Sequence, residues 1–338
     1  MRSVGEGWIA SGRSSLPKMP PVHLDFFGAP EPNALAFMHK GQRFIGVTAE
    51  AAIGMGQLFL RALSDRRVLT HVGDPSTGVE YPPLAPPLLP ALGDIASAGG
   101  ITFPRDYARK EYCKRLTFLA SGFLVFHELG HIVNGHVDWL ANRRHAPVIA
   151  ELRWMPGSVE ESIELQALEL DADAFAFSQV ESLSHQWAEN GACKLPHLQT
   201  YEEHLFAGLF AAFSFFRLFG DEPLTGADLY KSSHPPIRAR LGNVWDVLVR
   251  QAVGAHGRDL FPTLDLVAAA AEAVEQAFHC LTGQPVAPRI RYVEGRVLPA
   301  GQEHKVRLVR RWNGGLCDEL LQYAFGVPID YAEPQPAA

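Results

Sequence analysis

The chain has 338 residues, 47% of them hydrophobic, and a formal net charge of −7 at pH 7, enough apolar material for one large core or two modest ones. The acidic balance argues against nucleic-acid binding as the principal activity. The four cysteines (Cys113, Cys193, Cys280 and Cys317) are scattered without a C-x-x-C pair, which excludes a small disulfide scaffold and points to a reducing, cytoplasmic setting.

The first 30 or so residues are rich in Gly, Ser and Pro and read as a flexible lead-in, without the apolar run that a signal sequence needs. Residues 42–48 (QRFIGVT) read as a β-strand. Residues 49–63 follow with helical apolar spacing at Ile53, Leu58, Leu60 and Leu63. A Pro-rich insertion occupies about 73–105, and its prolines over 73–90 predict a long surface loop. Helical spacing resumes from 109 to about 134, where Asn134-Gly135 is a stop signal. Gly122 within that helix predicts close packing against a neighbour.

Residues 158–178 open with Ser158 as N-cap and Glu161 at the third helical position. Further helices are predicted at 202–219, 237–253 and 263–280, then a short extended piece at 289–297. The basic cluster Lys305, Arg307, Arg310 and Arg311 reads as a solvated face. Two apolar runs, 116–126 and 205–216, fall short of the ~20 residues that span a bilayer. They read as core helices, leaving peripheral membrane contact open but no spanning helix. The expected division is a main domain over 31–255, a helical and extended C-terminal extension over 256–330, and a frayed tail over 331–338.

The chemistry concentrates in His127-Glu128-Leu129-Gly130-His131. On a helix, histidines four apart share a face and reach one zinc ion, with Glu128 beside it as base toward the metal's water. A catalytic zinc needs a third protein ligand and an open position. Glu169 supplies the ligand, and Asp173, four residues on and alongside Gln166, accepts the ring N–H of a zinc histidine. Glu164 is the alternative ligand. The other acids of this stretch, Glu160, Glu161 and Asp171, read as a solvated face. Asn134 and Val137 stand where a metzincin needs Gly and its third His, so His136 reads as a plain residue past the helix end.

The zinc motif followed by Glu169-Leu170-Asp171-Ala172-Asp173-Ala174-Phe175-Ala176 resembles the H-E-x-x-H … E-x-x-A-D-x-x-A pair of the M48 family of metallopeptidases, which are gluzincins. Residues 33–36 with 43–48 resemble that family's edge strand and following helix. Ser233-His234-Pro235-Pro236 with Arg240 resembles its H-P-x-x-x-x-R segment.

The resemblance implies a zincin-type metallopeptidase domain of α+β class, predominantly helical with a small N-terminal β-sheet. It implies one Zn2+ per chain, held by His127, His131 and Glu169, and a peptide or protein substrate. His234 and Arg240 would reach the oxyanion or organise the helix beside it. The strand at Phe44, Ile45, Gly46 and Val47 would take an extended peptide by β-addition. Prenylated-protein processing is not implied, because the membrane helices of those relatives are missing. Two alternatives stand beside this reading: a narrow-specificity regulatory or phage-defence protease, and a non-catalytic zinc-binding regulatory module.

Overall fold

A computed structural model describes residues 2–29, 33–85, 88–97, 100, 102–144, 148–150, 156–191, 195–218, 229–255, 257, 259–286 and 298–326. Helix α1 (Arg2–Ser15) leads into strand β1 (Val22–Phe27), so the expected flexible lead-in is replaced by two regular elements. One lead-in glycine and one on α4 serve close packing. Gly5 lies directly against Leu24, and the ring of Trp8 covers Gly122, where an added Cβ would stand 3.0 Å away.

Strands β2 (Ala34–His39), β3 (Gln42–Thr48) and β4 (Val148–Ala150) complete a four-stranded sheet in the order β1-β3-β2-β4. β3 runs parallel to β1 and antiparallel to β2, with Phe44 opposite both His23 and Phe37. β2 pairs on its other side with β4. Lys40 and Gly41, both at positive φ, make the tight β2–β3 turn. This order corrects the expectation for Phe44, Ile45, Gly46 and Val47. A strand paired on both sides has no unpaired N–H and C=O row for an incoming peptide. The outer strands of the described sheet are β1 and β4.

The hydroxyl of Thr48 caps helix α2 (Ala49–Ser64) by accepting from the Ala51 N–H. The Pro-rich insertion is not wholly a loop, since it contains α3 (Leu88–Ser97). Pro90 is tolerated because it falls in the first turn, where N–H groups lack helical partners. Helix α4 (Tyr107–Val133) starts at an Asp106 cap and stops at Asn134, with Gly135 at φ +81° turning the chain into α5 (His136–Arg144).

Helix α6 (Val159–Asn190) starts where the Ser158 hydroxyl accepts from the Glu161 N–H, and it runs past the expected end to a left-handed Gly191. At the same cap the Glu161 carboxylate accepts from Gly157 N. Then come α7 (Tyr201–Leu218), α8 (Ile237–Leu248) with π-helical turns over Val249–Ala255, α9 (Leu260–Thr282), α10 (Pro299–Arg311) and α11 (Cys317–Leu321).

Helix α4 runs through the middle, packed on α2, α6, α7 and β2. Among the described residues it is the one helix long and apolar enough to cross a bilayer, but 89% of the qualifying window is buried inside the fold. The basic cluster is partly spent on neighbours: Lys305 pairs with Asp246, and Arg311 ties α10 to Glu164 of α6. Cys113 and Cys280 are buried, and these two and Cys317 are free thiols. Cys193, the 289–297 piece and the tail lie outside the described residues.

Two buried basic side chains are informative. Arg109, only 1% exposed, directs its guanidinium at the backbone carbonyls of Leu63, Asp65, Val68, Leu69 and Val72, at 2.8–3.1 Å. All five N–H donors are used, so one side chain on α4 organises the turn that follows α2. Arg109→Met leaves these acceptors without their donors and should destabilise the fold by at least about 3 kcal/mol in urea unfolding. A loss below about 1 kcal/mol would show that the turn holds itself.

His304 on α10 is buried against the Tyr230 ring, and neither ring nitrogen has a hydrogen-bond partner among the described residues. Burial pushes this imidazole down to about 4. The unfolded chain therefore binds a proton below pH ~6.5 that the folded chain refuses until pH ~4, and stability falls as pH drops through that window. Relative to His304→Leu, the wild type should lose about 2 kcal/mol between pH 7.5 and pH 5. Parallel denaturation curves for the two proteins test this, and equal pH slopes would refute it.

Candidate metal centre

The centre forms where α4 crosses α6. Gly130, between the two motif histidines, allows the crossing: a Cβ there would lie 3.2 Å from Ala172 Cα and Phe175 Cβ. At this separation His127 Nε2 and His131 Nε2 stand 3.1 Å apart. Glu169 Oε2 is 3.3 Å from His127 Nε2, and its Oε1 is 3.5 Å from His131 Nε2. A tetrahedral ion with bonds of ~2.0–2.1 Å sets its ligand atoms about 3.3 Å apart. The three expected ligands converge at that spacing, and together they can hold a metal ion.

Each histidine is held from behind. His127 Nδ1 lies 2.9 Å from Asp173 Oδ1, as the sequence spacing anticipates. Asp173 is in turn gripped by Arg240, through Nε at 2.8 Å and Nη2 at 2.7 Å. The guanidinium stacks over Phe216. Arg240 is thus turned to Asp173 beside the centre, in keeping with the second of the two placements expected of it.

His131 Nδ1 lies 2.9 Å from His136 Nδ1, and His136 Nε2 is 3.2 Å from Asp171 Oδ2, which also accepts from Asn134 Nδ2. With His131 Nε2 turned to the trio as a lone-pair donor, its Nδ1–H donates to His136 Nδ1, which leaves the His136 Nε2–H facing the Asp171 carboxylate. His136 and Asp171 are both fully buried, contrary to their reading as a plain residue and a solvated acid. A helical wheel puts Asp171 off the Glu169 face, and only the turn at Gly135 brings His136 back beside His131. The one sequence hint was a polar Asn-Gly-His stretch set directly against an apolar helix.

Residues 98–255 match the Peptidase U49 family. That stretch contains α4, α6, the His234 loop and α8, so the match covers every side chain of the centre. It supports a peptidase, a hydrolase acting on peptides or proteins. No curated protein and no solved structure matches the chain.

His234 enters from the loop before α8, its Nε2 3.2 Å from Glu169 Oε2 and its Nδ1 3.0 Å from Ser233 Oγ. The loop is latched to α6. Gln166 Nε2 donates to the carbonyls of Leu229 and Ser232, and Ser162 Oγ donates to Ser232 as well. His234 therefore lies against Glu169 but outside the converging trio. Glu164, the alternative ligand, turns instead to Arg311 at 2.9 Å and Arg143 at 3.4 Å. Glu128 is buried next to His127, and the trio and Glu128 are each 3% exposed or less.

Electrostatics favour the ligating protonation states. Burial pushes the His131 imidazole well below its usual value, against the pull of Glu169. For Glu169, burial acts upward, but the field of His234, then of His131, and hydrogen bonds to His127 and His234 hold the carboxyl well below the carboxylate range. Asp173 is also lowered, because Arg240 and His127 outweigh its burial. Near neutral pH the centre therefore offers a neutral imidazole and a carboxylate directed at one point.

The Arg240–Asp173 pair is fully buried, so removing one partner strands the other. Arg240→Met should cost about 3–5 kcal/mol. The double variant Arg240→Met/Asp173→Leu should recover part of that loss. Urea unfolding with a chelator present reads both without any metal contribution. A double variant less stable than the single one would show that the stranded Asp173 charge is not the source of the loss.

Proposed function

We propose that this chain is a zinc-dependent endopeptidase of gluzincin type, resembling the M48 metallopeptidases at its site. The observation that carries the reading is the convergence of His127 Nε2, His131 Nε2 and the Glu169 carboxylate at 3.1–3.5 Å, with Glu128 one residue from the first ligand. Two imidazoles and one carboxylate are a donor set suited to catalytic zinc, leaving a fourth position for water or substrate. When bound, the zinc supplies Lewis-acid polarisation of the scissile carbonyl and acidifies the attacking water.

The chain's own residues do the rest. Glu128 takes the proton of the attacking water on a carboxylate oxygen and delivers it to the leaving amine. Asp173 and the His136–Asp171 pair fix the rings of His127 and His131, so that both Nε2 lone pairs stay aimed inward. His234 Nε2, beside Glu169, is the donor placed to meet negative charge as it develops on the carbonyl oxygen. Arg240 acts through Asp173 as a positioning residue.

One observation favours a second reading, a non-catalytic zinc-binding regulatory module: the ligands and Glu128 are nearly sealed. Glu128 itself favours the peptidase, since a structural site has no use for a base. Metal titration combined with cleavage profiling in a lysate separates the two. The wild type should bind one zinc per chain and generate new peptide termini. Glu128→Gln should retain the zinc and lose cleavage by about 10²-fold or more. Glu169→Ala should lose most of the zinc, and His136→Phe should weaken zinc binding about 10–100-fold. Wild-type cleavage by Glu128→Gln would sink the mechanism. Stoichiometric zinc without any cleavage would support the module. The number of proteins cut shows how narrow the specificity is.

A further inference from the structure

A second site lies along a stripe of α4 that runs from Lys110 through Thr117 and Ser121 to Val125. There α1, β1 and α2 border, with α4, a cavity of about 660 Å³ that is open on one side. None of its lining residues belongs to the metal centre. We propose that this cavity binds a long-chain fatty acid, with the acyl chain inside and the carboxylate at Lys110.

The walls are apolar: Val4 and Trp8 of α1, Phe26 of β1, Leu60 of α2, and Phe118 and Val125 of α4. The hydroxyls that line it are already directed at the α4 backbone, Thr117 donating to Cys113 O at 3.0 Å and Ser121 to Thr117 O at 2.7 Å. Burial pushes the Cys113 thiol up to about 12, so it offers no nucleophile at neutral pH. The volume falls within the ~300–1,000 Å³ typical of small-molecule sites. A peptide segment would bring in backbone N–H and C=O groups that these walls cannot satisfy, whereas an acyl chain brings none.

Charge selects the head group. Lys114 shares its ammonium with Glu111 at 2.5 Å. Lys110, one turn earlier on the same stripe and exposed, has no ion-pair partner among the described residues. A single uncompensated cation at the mouth of an apolar cavity matches a single-chain monoanion.

Trp8 in the wall makes binding visible. The full chain should show saturable quenching of Trp8 by 9,10-dibromostearate, added below its micelle concentration, and Trp8→Phe should lose that quenching. Lys110→Glu, at an exposed position, should weaken binding at least tenfold, as should replacing the acid with the dibrominated C18 alcohol. Gly56→Leu should abolish binding by filling the cavity. An added Cβ there meets only Thr117 Cγ2 at 3.8 Å, and leucine favours the helix. Unchanged binding in Gly56→Leu, or equal affinity for acid and alcohol, overturns the proposal. Binding to acidic lipid vesicles with none to the monomeric acid overturns it too, in favour of a membrane-facing surface. These readouts need no metal, so they are independent of the peptidase reading.

Discussion

The whole centre depends on how closely α4 approaches α6, and that approach is set by a missing side chain. With Gly130 facing Ala172, the helix backbones draw together until atoms from both reach one point. A methyl group at Gly130 would press on the Ala172 backbone, which cannot swing aside as a flexible side chain can. The spacing of 3.1–3.5 Å among His127, His131 and Glu169 is therefore a property of the helix crossing more than of the three side chains. Helix α6 continues on both sides of the crossing, whereas α4 reaches it with its last turn; α2 and α7 pack on α4, and α7 and α8 on α6.

The polar side chains buried at that crossing lie largely against one another. Two chains of contacts run outward from the trio. One passes through Asp173 to a guanidinium stacked on Phe216, and the other passes through His136 to Asp171 and Asn134. Both end in a carboxylate held by a donor, which fixes the ring orientations. The loop bearing His234 is held in the same manner by Ser162 and Gln166. The result is a buried, pre-oriented polar cluster within an apolar interior, an arrangement in which electrostatic contacts act most strongly.

What the sequence discloses follows from period and range. His127, His131, Glu169 and Asp173 are legible because each pair is four apart on one helix, and the pairing of the two helices was suggested by a family-like motif. The cap at Ser158 and the stop at Asn134-Gly135 are local signals of the same kind. His136 and Asp171 escaped because their partnership requires the turn at Gly135 and a contact across two helices, which no single-helix periodicity encodes. The interior place of β3 escaped for a similar reason: β1 comes from the segment that composition marked as loose, and strand order is a non-local property. Arg240 was rightly placed near the centre, but only the fold shows that Asp173 stands between it and the trio.

The sealing of the centre has a kinetic consequence. A site whose donors are almost wholly withdrawn from solvent exchanges its contents only as fast as the surrounding helices part. Opening of the α4–α6 region would then gate metal loss to a chelator and entry of a polypeptide alike, whatever the speed of the chemistry inside. Such a protein can hold a complete set of reactive groups and still be slow, its turnover set by breathing of the fold.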